Sequence, residues 1–142
     1  MAYGESKTPY PGKFYPKKDE KFNGVFSASW ITTGITQDTV QFSDDLGKFI
    51  QENRLTTSQI RNVFGEIKRI QLKGFENEKP SFFLLKPKMA YAAKRAGNTG
   101  IQTLKQFFDE AHSKVHDKAT YQNFVDFFES ILAYHKAYGG KD

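Results

Sequence analysis

The sequence predicts an all-α, single-domain helical bundle of about five helices behind a flexible N-terminal arm, and three observations lead there. From residue 38 onward apolar residues recur at helical spacing, and no alternating strand pattern or hairpin dipeptide competes with it. A chain of 142 residues suits one hydrophobic core and is short for two. Residues 1–37 carry Pro9, Pro11 and Pro16 with Gly4, Gly12, Gly24 and Gly34, which work against regular backbone, and no helical period survives among them. The expected division is therefore an arm over 1–37 and a bundle over 38–142.

The arm is rich in aromatic residues: Tyr3, Tyr10, Phe14, Tyr15, Phe22, Phe26 and Trp30. It either orders against a partner or packs on its own domain. The first helix follows from Val40, Phe42, Leu46, Phe49 and Ile50, and "ENRLTTSQ" breaks it with Thr56, Thr57 or Ser58 available as the next N-cap. Ile60, Val63, Phe64, Ile67 and Ile70 then mark one buried face of a second helix. A loop is expected at "KGFENEKPS". In "FFLLKPKMAYAAKR", residues 82–95, Phe82 to Leu85 are expected to anchor the segment in the core. Pro87, which lacks an N–H, is expected to start the helix. Ala90, Ala93 and Gly97 form a small face for close helix approach, and "AGNTG" ends the helix. Ile101, Leu104, Phe108, Ala111 and Val115 give a bundle seam. The last helix, through "TYQNFVDFFESILAYHKAYGG", is apolar around about half its circumference, which suits either the central helix of the bundle or the wall of an interface.

Composition excludes several classes. There are no cysteines, so disulfides, thiolate metal sites and Cys nucleophiles are out. Apolar runs stop well short of the roughly 18 residues a membrane span needs, and the N-terminus lacks a signal-peptide core, so a soluble, non-exported, cytoplasmic chain is expected. Phosphate-loop, dinucleotide-binding, zincin and nucleophile-elbow motifs are absent. His112 and His116 fall at i, i+4 on one predicted helix with Asp109 and Asp117 nearby, half of a metal site. A catalytic zinc needs a third fixed ligand, so they read as two solvent-facing histidines. His135 reads as a core or interface histidine making one hydrogen bond. Asp44 and Asp45 point about 100° apart on a helix and make a poor carboxylate pair. No catalytic residue, metal or cofactor is predicted.

Charge is more telling. The formal net charge of +5 divides into −1 over residues 1–53, +7 over 54–95 and −1 over 96–142. A cationic middle third is the footprint of a polyanion site, or else a solvated Lys-rich surface. Arg61 and Lys68 share a helix face with Arg69 alongside. Lys88, Tyr91 and Arg95 line up at i, i+3, i+7, flanked by Lys86 and Lys94. Cations neutralise phosphates and tyrosine stacks on a base, without requiring a particular sequence.

Three stretches, "TTSQIRNVFGEIKRIQ", "FFLLKPKMAYAAKR" and "FVDFFESILAYHKAYGG", resemble in order and spacing the small subunit of the Csm effector complex of type III-A CRISPR interference, an antiviral ribonucleoprotein. The resemblance covers about Leu46 to Gly140. It implies an all-helical, non-catalytic protein present in several copies, holding guide RNA and target RNA beside the backbone and large subunits while other subunits carry the enzymatic activities. Carried onto this chain, the RNA-binding positions are Arg61, Lys68 and Arg69 in the first stretch and Lys86, Lys88 and Arg95 in the second, with Tyr91 and Lys94 added from their faces. Two positions depart from the family pattern: Asn62 replaces a frequent cation and is left out of the site, and Lys94 stands where Gly is frequent. The competing expectation is a protein-interaction adaptor that self-associates or docks through its apolar last helix without binding RNA.

Overall fold

The computed structural model describes residues 21–142, and the helical class holds: no strand forms among them. Among the described residues seven α-helices run in the order α1 (Ser29–Thr32), α2 (Gln37–Glu52), α3 (Arg61–Lys73), α4 (Lys79–Phe83), α5 (Leu85–Ala96), α6 (Thr99–His112) and α7 (Lys118–Ala137). Five of them, α2, α3, α5, α6 and α7, exceed two turns and match the helices expected from periodicity. Local chemistry sets their ends. Thr36 and Thr39 form a reciprocal capping box at α2, as Asp117 and Thr120 do at α7. The Asn98 side chain accepts from the Ile101 N–H at 2.8 Å to cap α6. Gly97, at φ +70°, supplies the left-handed residue that closes α5.

The wide apolar face of α7 is explained by its position. Tyr121, Phe124, Val125, Phe127, Phe128 and Ile131 are buried because α7 packs against α1, α2, α3 and α6. The central-helix expectation holds, and the face an adaptor would dock through is occupied inside the bundle. Its most extensive partner is α2. Gly47 permits that approach: a Cβ there would sit 2.5 Å from the Tyr134 Cβ and 2.8 Å from the His135 backbone nitrogen.

The phenylalanines fill two aromatic clusters. In one, Phe42 meets Trp30 at a centroid distance of 5.2 Å and Phe107 at 5.0 Å. In the other, Phe82 lies among Phe75, Tyr121 and Phe124 and stacks flat on His112 at 3.9 Å.

Five expectations need correction. First, the arm does not extend to residue 37: Phe22 and Phe26 pack on the core and Trp30 and Ile31 are buried in it. The prolines expected to keep it irregular all precede residue 21, whereas its aromatic residues from Phe22 on find Phe42, Phe107 and Phe127. The expectations for Tyr3, Tyr10, Phe14 and Tyr15 lie outside the described residues. Second, the loop at 73–81 contains a 3₁₀ turn over Phe75–Asn77 and the start of α4, because Phe75 is drawn into the core. Third, α5 starts at Leu85, so Pro87 sits within its first turn, where an N–H has no intrahelical partner to lose. Fourth, only Phe82 and Leu85 of the four-residue apolar run are buried; Phe83 and Leu84 are 62% and 53% exposed. The buried stripe of α5 is accordingly Leu85, Met89 and Ala93, and Ala90 and Gly97 face solvent.

Fifth, the two histidines do not share a helix. α6 ends at His112, which is buried with its Nε2–H donating to the Phe82 carbonyl at 2.8 Å, and His116 lies exposed beyond it. Burial holds His112 below the usual imidazole range. His135 is buried and makes one hydrogen bond, from Nε2 to the Leu55 carbonyl at 2.7 Å. No helix among the described residues is long and apolar enough to cross a membrane.

Candidate nucleic-acid interface

The cationic middle third folds into α3, α4 and α5, and a groove of about 1000 Å³ opens between α3 and α5. One wall is the side of α5 carrying Pro87, Lys88, Tyr91, Ala92 and Arg95; the other presents Ser58, Gln59, Asn62 and Glu66. The two walls exist because each helix has a strict apolar stripe. Val63, Ile67 and Ile70 on α3 and Leu85, Met89 and Ala93 on α5 are buried. The residues next to each stripe are then left facing one another across the cleft.

Lys88 and Arg95 are two turns apart, about 10 Å along the axis, with Tyr91 between them and 67% exposed. This is the cation, aromatic, cation edge expected from spacing, and it borders a concave site. Lys86 and Lys94 are exposed on the opposite flank of α5 and do not line the groove. Lys86 lies toward α6, where its charge adds to the burial that lowers His112.

The α3 cations divide differently. Arg61 is exposed near the start of the helix. Lys68 is paired with Glu129 of α7. Arg69 is held by a network: its Nε and Nη2 each donate to Glu66 at 3.0 Å, its Nη1 lies 2.9 Å from Glu78, and its Nη2 donates to the Ser81 hydroxyl at 2.9 Å. Ser81 in turn donates to Glu78 at 3.0 Å. The network ties α3 to α4. The hydrogen bond from Arg69 holds the Glu66 carboxyl below its usual range, and the bonds from Ser81 and then Arg69 do the same for Glu78. Among the sequence-predicted cations, Lys88 and Arg95 are brought together with Tyr91; Arg61, Lys68, Arg69, Lys86 and Lys94 are spread over other faces.

The groove is also lined by Asn62, which the departure from the family pattern left out of the site, and by Glu66, which was not singled out in the sequence. Asn62 carries no charge to mark it, yet its position beside the Val63 stripe puts it in the wall. Glu66, with Oε1 3.8 Å from the Lys88 Nζ, is the groove's acidic member. The i, i+3 spacing of Glu66 and Arg69 marks an ion pair along α3, but it does not by itself place Glu66 on the α5 side.

Chemically the groove combines two exposed cations, a flat aromatic surface, amide and hydroxyl groups and one carboxylate, and its cationic edge suits an anion bearing a planar ring. No histidine lines it, and among the described residues no three His, Cys, Asp or Glu side chains converge as a metal site would require.

Fold and groove together define a class: a small all-helical bundle with a cation-rimmed cleft on one side. Family comparison makes this specific. The family described as Csm2 Type III-A matches residues 35–141, about three quarters of the chain, from just before α2 to the C-terminal tail. The chain belongs to the Csm2 family and is the small structural subunit of the type III-A Csm complex of CRISPR interference, assembling with other Csm subunits. The match reaches further toward the N-terminus than the three stretches noted in the sequence, and it leaves α1 outside. No curated protein and no solved structure matches the chain.

Proposed function

We propose that this chain is a non-catalytic RNA-binding scaffold subunit that contacts the backbone of guide and target RNA through the α3–α5 groove. It would act in the cytoplasm, alongside the backbone and large subunits, in antiviral defence. The observation that carries the reading is the placement of Lys88, Tyr91 and Arg95 along one exposed side of α5, bordering a cleft whose opposite wall presents Ser58, Gln59 and Asn62 with one carboxylate, Glu66. Lysine and arginine at this spacing neutralise phosphates and tyrosine offers a stacking face, and neither selects a base. Sequence specificity would come from guide–target pairing. Lys86, Lys94, Arg61, Lys68 and Arg69 would add to the field that attracts RNA; Lys68 and Arg69 are already paired within the chain and contribute less.

The test is binding of labelled single-stranded RNAs of several sequences to wild-type and Lys88→Ala/Arg95→Ala proteins across a salt series. The double variant is expected to bind every sequence roughly tenfold more weakly, with its salt slope reduced by about 1.4, or about 0.7 for each phosphate no longer neutralised. Equal affinity and slope in the two proteins would remove the groove from the RNA path.

A further inference from the structure

Among the lysines and arginines facing the α3–α5 groove, Lys88 is the one that already has an anion within reach. The Glu66 carboxylate stands 3.8 Å from its Nζ while accepting two hydrogen bonds from Arg69. Glu66 is three-quarters shielded from solvent and sits on the wall facing α5. Arg95, a further two turns along α5, has no ion pair among the described residues. Among the described residues the groove is thus graded along its length, with a cation partly neutralised by a carboxylate at one end and a cation without an ion pair at the other.

Resting on the RNA reading above, we infer that Glu66 is a restraining residue of the groove: its carboxylate competes with RNA phosphate for Lys88. A phosphate arriving at Lys88 meets a negative charge within a few ångströms and must either displace the lysine from Glu66 or share it. Either route weakens binding at that end. The arrangement does not abolish binding, because the competing pair is partly exposed and such pairs are weak. It lowers affinity and shortens residence. That suits a subunit whose RNA hold must be additive over several contacts rather than strong at one, because weak contacts exchange and let the strand settle into register. Arg69 responds to the same carboxylate: with Glu66 neutral it keeps Glu78 and Ser81 as partners, so the network loosens without leaving the arginine unpartnered.

Glu66→Gln tests this, because the amide is isosteric and its oxygen can still accept from Arg69. Binding of a fluorescein-labelled oligouridylate of about 20 nucleotides, longer than a single binding groove spans, is followed by anisotropy from about 50 to about 200 mM salt. Glu66→Gln is expected to bind roughly two- to fivefold more tightly than wild type, with a salt slope steeper by about 0.7. Placing Glu66→Gln on Lys88→Ala is expected to shrink the gain, because the cation it frees is gone. An equal gain in both backgrounds would mean a general surface charge and would overturn the competition with Lys88. The inference also falls if wild type outbinds Lys88→Ala/Arg95→Ala while Glu66→Gln does not outbind wild type. Wild type and Lys88→Ala/Arg95→Ala binding alike would overturn the RNA reading itself, and the role of Glu66 with it.

Discussion

His112 illustrates how a single side chain acquires its role from what covers it. Spacing alone pairs it with His116 as half a metal site, but α6 stops at His112, and the ring is stacked between its own helix and Phe82. Nothing in the local sequence distinguishes a buried histidine from an exposed one; the distinction is made by Phe82, thirty positions earlier, closing over it. The consequence is a pH dependence. Because burial lowers the folded pKa of His112 beneath the unfolded value of about 6.5, the unfolded chain takes up the proton first on acidification. The stabilising contribution is full above about pH 6.5 and is lost as pH falls through the lowered folded value, at no more than about 1.4 kcal/mol per pH unit. Glu66, Glu78 and Asp117 are depressed carboxyls, whose contribution is lost only at more acidic pH, below their unfolded values of about 4. Urea midpoints measured from about pH 7.5 down to about pH 5 should therefore fall for wild type and stay nearly level for His112→Gln. A parallel fall in both proteins would assign the effect elsewhere.

At the level of the element, the junction of α4 and α5 separates what was legible from what was not. A cationic helix with a turn at "AGNTG" was readable, since Gly97 and Asn98 have backbone and capping chemistry of their own. Its phase was not. Four consecutive apolar residues carry no period, and the break between helices at Leu84 decides that Phe82 and Leu85 turn inward while Phe83 and Leu84 turn out. Reading the small residues as the packing face then displaced the stripe from Met89 to Ala90. The groove edge survived this error because Lys88, Tyr91 and Arg95 are exposed in either phase. Its far wall did not, because Asn62 and Glu66 acquire meaning only when α5 is set against α3. Two neighbours of identical chemistry consequently differ in energetic weight. Phe82→Ala should cost about 3–5 kcal/mol, by cavity formation in the second aromatic cluster, and Phe83→Ala should stay within about 0.5 kcal/mol of wild type. Urea titration of both variants checks the contrast, and comparable losses would contradict the observed division of the apolar run.

For the whole molecule, charge partition and helical class were readable because both are sums over many residues and tolerate local mistakes. The ordering of the first described segment was not, since Phe22, Phe26 and Trp30 stand four apart in a stretch that is not helical before Ser29 and gain their place from α2, α6 and α7. The bundle is also less local than its helical content suggests. Hydrogen bonds join Ser43 to Ser130, Ile31 to Asn123 and Asp44 to Tyr138, so the first helices close against the last. Pairings of such sequence separation slow folding relative to bundles built from neighbours. Trp30, the sole tryptophan, lies between Phe42 and Phe127 at this closure and reports on it. In stopped-flow refolding its fluorescence change should lag the recovery of far-UV helicity; simultaneous phases would show that closure is not the late step. The pairing of α2 with α7 also has a consequence during synthesis. At about 5–20 residues per second, the ribosome needs several seconds to a quarter of a minute to make the stretch between these helices. Throughout that interval the nascent α2 lacks α7, its most extensive partner, and its apolar face is only partly covered. Production of this subunit therefore depends on what shields that helix until translation reaches its partner.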